Sequence, residues 1–190
     1  SEESKFFVIN NDSLLIFSNE QFIRPISSDE LKWSGLEVNE KHFLGFLNED
    51  ACYVISVNKD NCVLENYEFI NLRGLFGRIP DELFGVISRG LQIITWSKTN
   101  KFCGVCGSPL KEEKHERAMK CTNCDADLVY PRISPCVITL IHKENKVLLA
   151  HNVNFPENFY STLAGFIEPG ESVEEALKRE VMEDIGVEVD

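Results

Sequence analysis

The sequence has no apolar run approaching the roughly 20 residues that a bilayer-spanning helix needs; the longest, near Cys136 to Ile141, is far shorter. No charged, apolar leader opens the chain either, so a soluble cytoplasmic protein without a membrane partner is expected. Positive charge is scarce. Nineteen Lys and Arg face 31 Asp and Glu, a net charge of −12, which argues against nonspecific affinity for polyanions: any RNA would be recognised locally, against a repulsive field. Histidines number four, and His42, His115, His142 and His151 lack metal-ligand spacing with one another. There is no internal repeat and no low-complexity tract. Seven cysteines, an odd number, argue against a closed disulfide framework and for a reducing compartment.

What is present suits one or two packed domains: 190 residues, 43% of them hydrophobic. Lys5 to Phe17 and Cys52 to Leu64 alternate apolar and β-branched residues around Asn-Asp and Lys-Asp-Asn breaks, the pattern of a small sheet. From Pro80, Leu83, Phe84, Ile87, Leu91 and Ile94 recur at helical spacing and predict an amphipathic helix running to a link near Lys98 to Lys101. Further strands are expected at Cys136 to Ile141, Val147 to Ala150 and Tyr160 to Ala164.

Four of the cysteines form two knuckles, Cys103-Gly-Val-Cys106 and Cys121-Thr-Asn-Cys124, with 14 residues between them. Two such turns brought together by a hairpin make a tetrahedral four-thiolate site, and Gly104 and Gly107 suit the tight backbone. Four cysteines leave no open coordination position, so the Zn²⁺ expected here is structural. Lys111, Lys114, Arg117 and Lys120 lie between the knuckles but are offset by Glu112, Glu113 and Glu116, which leaves a nucleic-acid patch the weaker reading. Cys52, Cys62 and Cys136 are scattered.

The C-terminal segment Gly165 to Val187, GFIEPGESVEEALKREVMEDIGV, carries the most chemistry. Ser172 followed by Glu175 is a capping box and Gly186 a helix stop, predicting a helix from Val173 to Ile185. Val173, Leu177, Val181 and Ile185 would line one stripe, while Glu180, Glu183 and Asp184 crowd a neighbouring arc. Like charges at these spacings cost about 0.2 to 0.5 kcal/mol per pair unless a cation compensates them. An all-oxygen donor set suits Mg²⁺ or Mn²⁺, which polarises phosphoryl oxygens and lowers the pKa of bound water. Glu168-Pro169-Gly170 reads as a turn that brings Glu171 toward the helix.

This segment resembles the Nudix box, Gly-x5-Glu-x7-Arg-Glu-U-x-Glu-Glu-x-Gly-U with U apolar. Gly165, Glu171, Arg179, Glu180, Val181, Glu183, Gly186 and Val187 stand where that pattern asks, and Asp184 replaces its usual glutamate with a side chain one methylene shorter. The resemblance implies that Glu180, Glu183 and Asp184, with the carbonyl of Ala164, hold the catalytic ions, and that Arg179 orients the acidic loop. Among carboxylates that could serve as general base, Glu183, Asp184 and one beyond Asp190 stay open. With the four-cysteine ribbon and Tyr130-Pro131-Arg132 ahead of the box, the chain is similar to the NADH pyrophosphatase branch, also known as NAD-capped RNA decapping enzymes.

That branch implies an N-terminal α/β domain over 1–98, a zinc ribbon over 99–131 and a Nudix α/β/α sandwich from 132. It also implies homodimers and metal-dependent cleavage of NAD(H) to nicotinamide mononucleotide and AMP, with NAD-capped RNA a further substrate. The family's sandwich continues past the box with more strands, a second helix, a further acidic residue and a Ser-Gln-Pro-Trp-Pro-Phe-Pro segment. These residues alone are therefore not expected to turn over. Tyr130 and Phe166 match aromatic positions of the family's substrate pocket, against plainer readings as a ribbon-closing tyrosine and a core phenylalanine. Arg73 is a candidate phosphate contact, against that of an ordinary surface arginine. Two alternatives remain: the same chemistry on another nucleoside diphosphate derivative such as ADP-ribose, and a non-catalytic zinc-ribbon RNA-binding protein.

Overall fold

A computed structural model describes residues 4–17, 24–58 and 66–190. It is a mixed α/β structure that separates into two compact units, 1–131 and 132–190. The expected break at Lys59 to Asn61, and Cys62, lie outside the described residues.

The first unit is built on a mixed sheet of six strands: β1 (Lys5–Asn10), β2 (Ser13–Phe17), β3 (Ile26–Ser27), β4 (Val38–Leu47), β5 (Asp50–Val57) and β6 (Tyr67–Asn71). The order is β4-β5-β1-β2-β6, with β3 also pairing β1; β1 and β5 run parallel and the other pairs antiparallel. Asn11, at φ 53°, makes the tight turn between β1 and β2, as asparagine does at least cost. Residues 6 to 9 of β1 are buried on both faces because helices cover both. On one face, α1 (Ser28–Trp33) starts at a capping box, Ser27 with Glu30, a signature of the kind found at the C-terminal helix. The other face carries α2 (Asp81–Thr99).

Helix α2 packs Ile87, Ile93, Ile94 and Trp96 into a core with Phe7, Ile9, Leu44, Val54 and Leu75, while Leu83, Phe84 and Leu91 sit half-buried at its margin. Gly90 sets the depth of this contact: a Cβ there would lie 3.1 Å from Val54 and 3.4 Å from Leu44 Cδ1. A larger side chain must lift the helix from the sheet. Gly90→Leu is therefore expected to destabilise the first unit by about 1–3 kcal/mol, read as a lower urea midpoint.

Beyond α2, β7 (Leu110–Glu112) and β8 (Met119–Cys121) form the ribbon hairpin in the register Leu110↔Cys121 to Glu112↔Met119. The ribbon lies on the edge strand β4. Arg117 donates to the Phe43 carbonyl, and Lys101 Nζ sits 2.7 Å from Glu40. His42 has Glu40 and Glu112 each 3.6 Å from a ring nitrogen. An edge strand with free carbonyls invites pairing with another chain, and Arg117 occupies one of them.

The second unit holds β9 (Cys136–Thr139), β10 (His142–Lys143), β11 (Lys146–Val147), β12 (Leu163–Phe166) and α3 (Val173–Ile185). β9 pairs antiparallel with β12, and α3 packs across both through buried Ala176 and Val181. The strand expected over Tyr160 to Ala164 is displaced to Leu163–Phe166, with only Ser161 bridging Ala150 before it. Glycine argues against a strand interior, yet Gly165 pairs with Val137. The functional site supplies the reason. Similarly, only Lys146–Val147 and the Ala150 bridge remain of the strand expected over Val147 to Ala150.

Candidate functional site

Helix α3 begins and ends where its local chemistry dictates. Ser172 accepts from Glu175 N, Glu175 accepts from Ser172 N, and Gly186 closes the helix in the left-handed conformation at φ 67°. The last turn contains Glu183 and Asp184 and no basic residue, so two carboxylates face the negative end of the helix dipole. That arrangement needs a cation.

Arg179 supplies one from within the fold. Its Nε and Nη2 make a two-pronged contact with Glu171 at 2.6 and 2.8 Å, and Nη1 reaches Glu180 at 2.8 Å and Glu183 at 3.1 Å. Nη2 also donates to the Phe166 carbonyl at 2.9 Å, tying the helix to β12. Glu171 in turn accepts from the backbone of Glu168 at 2.9 Å, which fixes the Pro169-Gly170 turn. Arg179 thus braces the acidic loop, and its guanidinium is held further into the charged form by Glu171 first and then Glu180.

The same brace holds Glu171 down at about 2, through Arg179 first and the Glu168 N–H second. A depressed carboxylate pKa contributes stability above its unfolded value, and that contribution is lost as pH falls through the folded one. The loop is therefore expected to keep its geometry on acidification below pH 4.5, the ordinary value, and to lose it toward pH 2. Carboxyl carbon shifts of Glu171 followed by NMR would check this: titration near 4.5 would show that the pair is not formed.

Gly165 explains its place in a strand. A Cβ built there would lie 1.8 Å from Glu180 Cδ, so the carboxylate occupies the space that any side chain would take. The strand cannot yield, being paired with Val137. Gly165→Ala is accordingly expected to evict the Glu180 carboxylate and to destabilise the second unit by about 1–3 kcal/mol in urea unfolding.

Glu180 is the sheltered member of the acidic set, its side chain 18% exposed against 60% for Glu183. Asp184 is exposed, one residue further on. Ala164, whose carbonyl is the fourth donor expected, precedes Gly165 in β12. The three α3 carboxylates do not close on one another as a ready cage, since Arg179 donates to two of them. Glu171, Glu180 and Glu183 bring three negative charges to one guanidinium, Asp184 adds a fourth in the same turn of α3 without touching it, and the donor set is all oxygen. This fits a hard divalent cation such as Mg²⁺ or Mn²⁺.

Phe166, 64% exposed, stands beside Ile133, Pro135, Ile167 and Pro169 around an open apolar shelf of about 480 Å³. It does not fill core. Tyr130 is 45% exposed and its hydroxyl donates to Glu116 at 2.8 Å within the ribbon. Arg73 is exposed in the 3-10 turn Leu72–Leu75.

The ribbon cysteines converge. Among the described residues they are the one set of three or more metal-ligating side chains whose donor atoms all lie within 4.8 Å of one another. Cys103 and Cys124 Sγ are 3.7 Å apart, Cys106 and Cys121 3.5 Å, and Cys121 and Cys124 3.5 Å. These are too long for disulfides, whereas four sulfurs at about 2.3 Å from one tetrahedral ion would stand roughly 3.8 Å apart. Backbone N–H groups of Val105, Asn123 and Cys124 point at these sulfurs at 3.4 Å. Within this cluster the Ser108 hydroxyl and N–H lower the Cys106 thiol to about 6, while hydrogen bonds to the Cys106 and Cys121 sulfurs push Cys124 up to about 12, as close sulfurs sharing protons do. Gly107 turns the first knuckle at φ 72°. Such a set fits a structural Zn²⁺.

Three family profiles match consecutive parts of the chain. Residues 3–96 match an NADH pyrophosphatase-like rudimentary NUDIX domain, 98–128 an NADH pyrophosphatase zinc ribbon domain, and 131–190 a NUDIX domain. The chain belongs to the NADH pyrophosphatase-type Nudix family. Relatives of this family member include proteins named NAD-capped RNA hydrolase NudC. That of Pseudomonas putida strain W619 is 38% identical over 161 residues, which cover 85% of this chain and 58% of the relative. That of Pseudomonas entomophila strain L48 is 39% identical over 165 residues, again 85% and 58%. That of Stutzerimonas stutzeri strain A1501 is 43% identical over 118 residues, 62% of this chain and 42% of the relative. The chain thus spans a little over half the length of the Pseudomonas relatives. Among the described residues, no helix is long and apolar enough to cross a membrane.

Proposed function

We propose that this family member acts in divalent-metal-dependent hydrolysis of the diphosphate of NAD(H), giving nicotinamide mononucleotide and AMP, and in removal of NAD caps from RNA. The observation that carries the reading is the Glu180 carboxylate seated against Gly165 and braced by Arg179, in a Nudix box preceded by the branch's own zinc ribbon. The relatives named NAD-capped RNA hydrolase support the substrate class.

Glu180, Glu183 and Asp184, with the Ala164 carbonyl, would hold Mg²⁺ or Mn²⁺. When bound, such an ion polarises phosphoryl oxygens and activates water. The chain's own part is positional. Arg179 fixes the acidic side chains before substrate arrives, so little reorganisation is left for the reaction. Glu171 and the Glu168 N–H hold the loop around them. Phe166 offers a ring face to a nicotinamide or adenine, worth about 0.5–1.5 kcal/mol beyond area burial; Tyr130 offers another, and Arg73 a charge for a phosphate. A carboxylate, Glu183 or Asp184 among those present, would take the proton from the attacking water. Cytoplasmic location and a homodimer complete the proposal, with domains over 1–98, 99–131 and 132–190.

The test is hydrolysis of NADH, with ADP-ribose alongside, with and without Mn²⁺, for this chain and for one of the relatives' full length. AMP and reduced nicotinamide mononucleotide released from NADH faster than AMP from ADP-ribose, and only with metal, is the expected result. Preference for ADP-ribose would move the substrate, and no cleavage by the longer chain would sink the enzyme reading.

A further inference from the structure

The segment between β6 and α2 presents an exposed aromatic ring, Phe76, with Arg73 before it and Arg78 after it in the chain. Phe76 is 75% exposed, unusual for a phenylalanine, with Arg73 and Arg78 exposed on either side of it. Residues 72–80 contain no acidic side chain; Asp81 and Glu82 follow in the first turn of α2.

The presentation is built and not incidental. Leu75, fully buried, and Ile79, 8% exposed, anchor the segment in the sheet–helix core. Asn71 caps the turn by accepting from Arg73 N at 2.9 Å, and its own amide donates to Asp12. Leu72 N donates to Asp12 O at 3.0 Å, Arg78 N to Leu75 O at 3.0 Å, and Arg78 Nη1 to Gly74 O at 3.2 Å. The Phe76 ring rests edge-on against Phe84, with centroids 5.5 Å apart at 74°, leaving its outer surface open. Among the described residues, Arg73 has no side-chain partner and Arg78 has only the Gly74 carbonyl.

A fixed ring flanked by guanidiniums is the chemistry that holds single-stranded nucleic acid: the ring stacks a base, and the cations take the phosphates on either side. We propose that the Phe76 ring with Arg73 and Arg78 binds the single-stranded RNA body of a capped substrate, which rests on the reading of NAD-capped RNA as a substrate. In a chain of net charge −12, residues 72–80 carry two arginines and no acidic side chain of their own, with Asp12 beside Asn71 and with Asp81 and Glu82 opening α2 as their acidic neighbours.

The experiment is fluorescence anisotropy of a short, uncapped, labelled single-stranded RNA against the relatives'-length protein, with NADH hydrolysis measured on the same preparations. Phe76→Ala is expected to weaken RNA binding about tenfold. Arg78→Glu should weaken it further and flatten the salt dependence by about 0.7 in log–log slope for the lost phosphate contact, while Arg78→Lys keeps that slope. NADH hydrolysis and circular dichroism should stay at wild-type levels in all three. Unchanged affinity and slope in Phe76→Ala and Arg78→Glu, or no RNA binding by the wild type at low salt, would overturn the proposal. RNA binding that depends on these residues in a protein without NADH hydrolysis would uphold the loop and refute the diphosphatase reading.

Discussion

Replacing Glu180 by Gln is expected to abolish metal-dependent release of AMP from NADH while leaving the fold intact. Gln keeps the shape that fits against Gly165 and keeps an oxygen for Arg179, so the change removes charge and little else. Charge is what the position contributes. Glu180 is the most sheltered of the α3 carboxylates, and an amide in its place weakens a hard cation's hold where solvent compensates least. Such ions are worth several kcal/mol of transition-state stabilisation, and each 1.36 kcal/mol is a factor of ten, so a loss on the order of 10³-fold is expected. Turnover within tenfold of wild type at saturating Mn²⁺ would remove Glu180 from the metal site.

Loss of the ribbon zinc is expected to have the largest structural effect. A structural Zn²⁺ site contributes about 10–16 kcal/mol of apparent binding free energy, as much as the whole stability of a typical domain. Strands β7 and β8 are three residues each and cannot hold the hairpin without it. The effect should reach past the ribbon. Lys101, Glu112 and Arg117 join it to β4, and Trp96, 7% exposed, shares a cavity of about 360 Å³ with His42 and ribbon residues Glu112 to Ala118. The chain has two tryptophans, and Trp33 is already 82% exposed, so a change in emission reports Trp96. Cys121→Ser, or chelation, is expected to shift that emission to the red and to remove the protection of β4 amides from hydrogen exchange. Emission and protection unchanged after zinc release would show that α2 and β4 hold without the ribbon.

The residues that could be read from sequence are those whose signals are local. The capping box at Ser172 and Glu175 and the stop at Gly186 gave α3 its limits, Val173 to Ile185, because end effects depend on the nearest four residues. The two knuckles foretold the thiol cluster because two-residue spacing already brings each pair within reach of one ion. The capping box at Ser27 and Glu30 is equally local and marks α1, a helix of six residues with no fully buried side chain and so no apolar stripe to announce it. Strand limits in the second unit were less accessible. Tyr160 to Ala164 has the composition of a strand, but pairing with β9 selected Leu163 to Phe166.

By itself, then, the sequence determined the chemistry on offer: a four-thiolate zinc ribbon, a capped helix with three carboxylates on one side, and the order of parts that places the chain in its family. Only the tertiary structure decided how those groups are used. It seated Glu180 against a glycine that must lack a side chain, turned Arg179 into the brace of Glu171, Glu180 and Glu183, gave the Tyr130 hydroxyl to Glu116, and laid the ribbon along the edge of the N-terminal sheet. The physical reason is range. Caps, turns and knuckles are fixed by contacts a few residues apart, whereas the partner of Gly165 is 15 residues away and that of Phe43 is 74, and only packing chooses among partners at such separations.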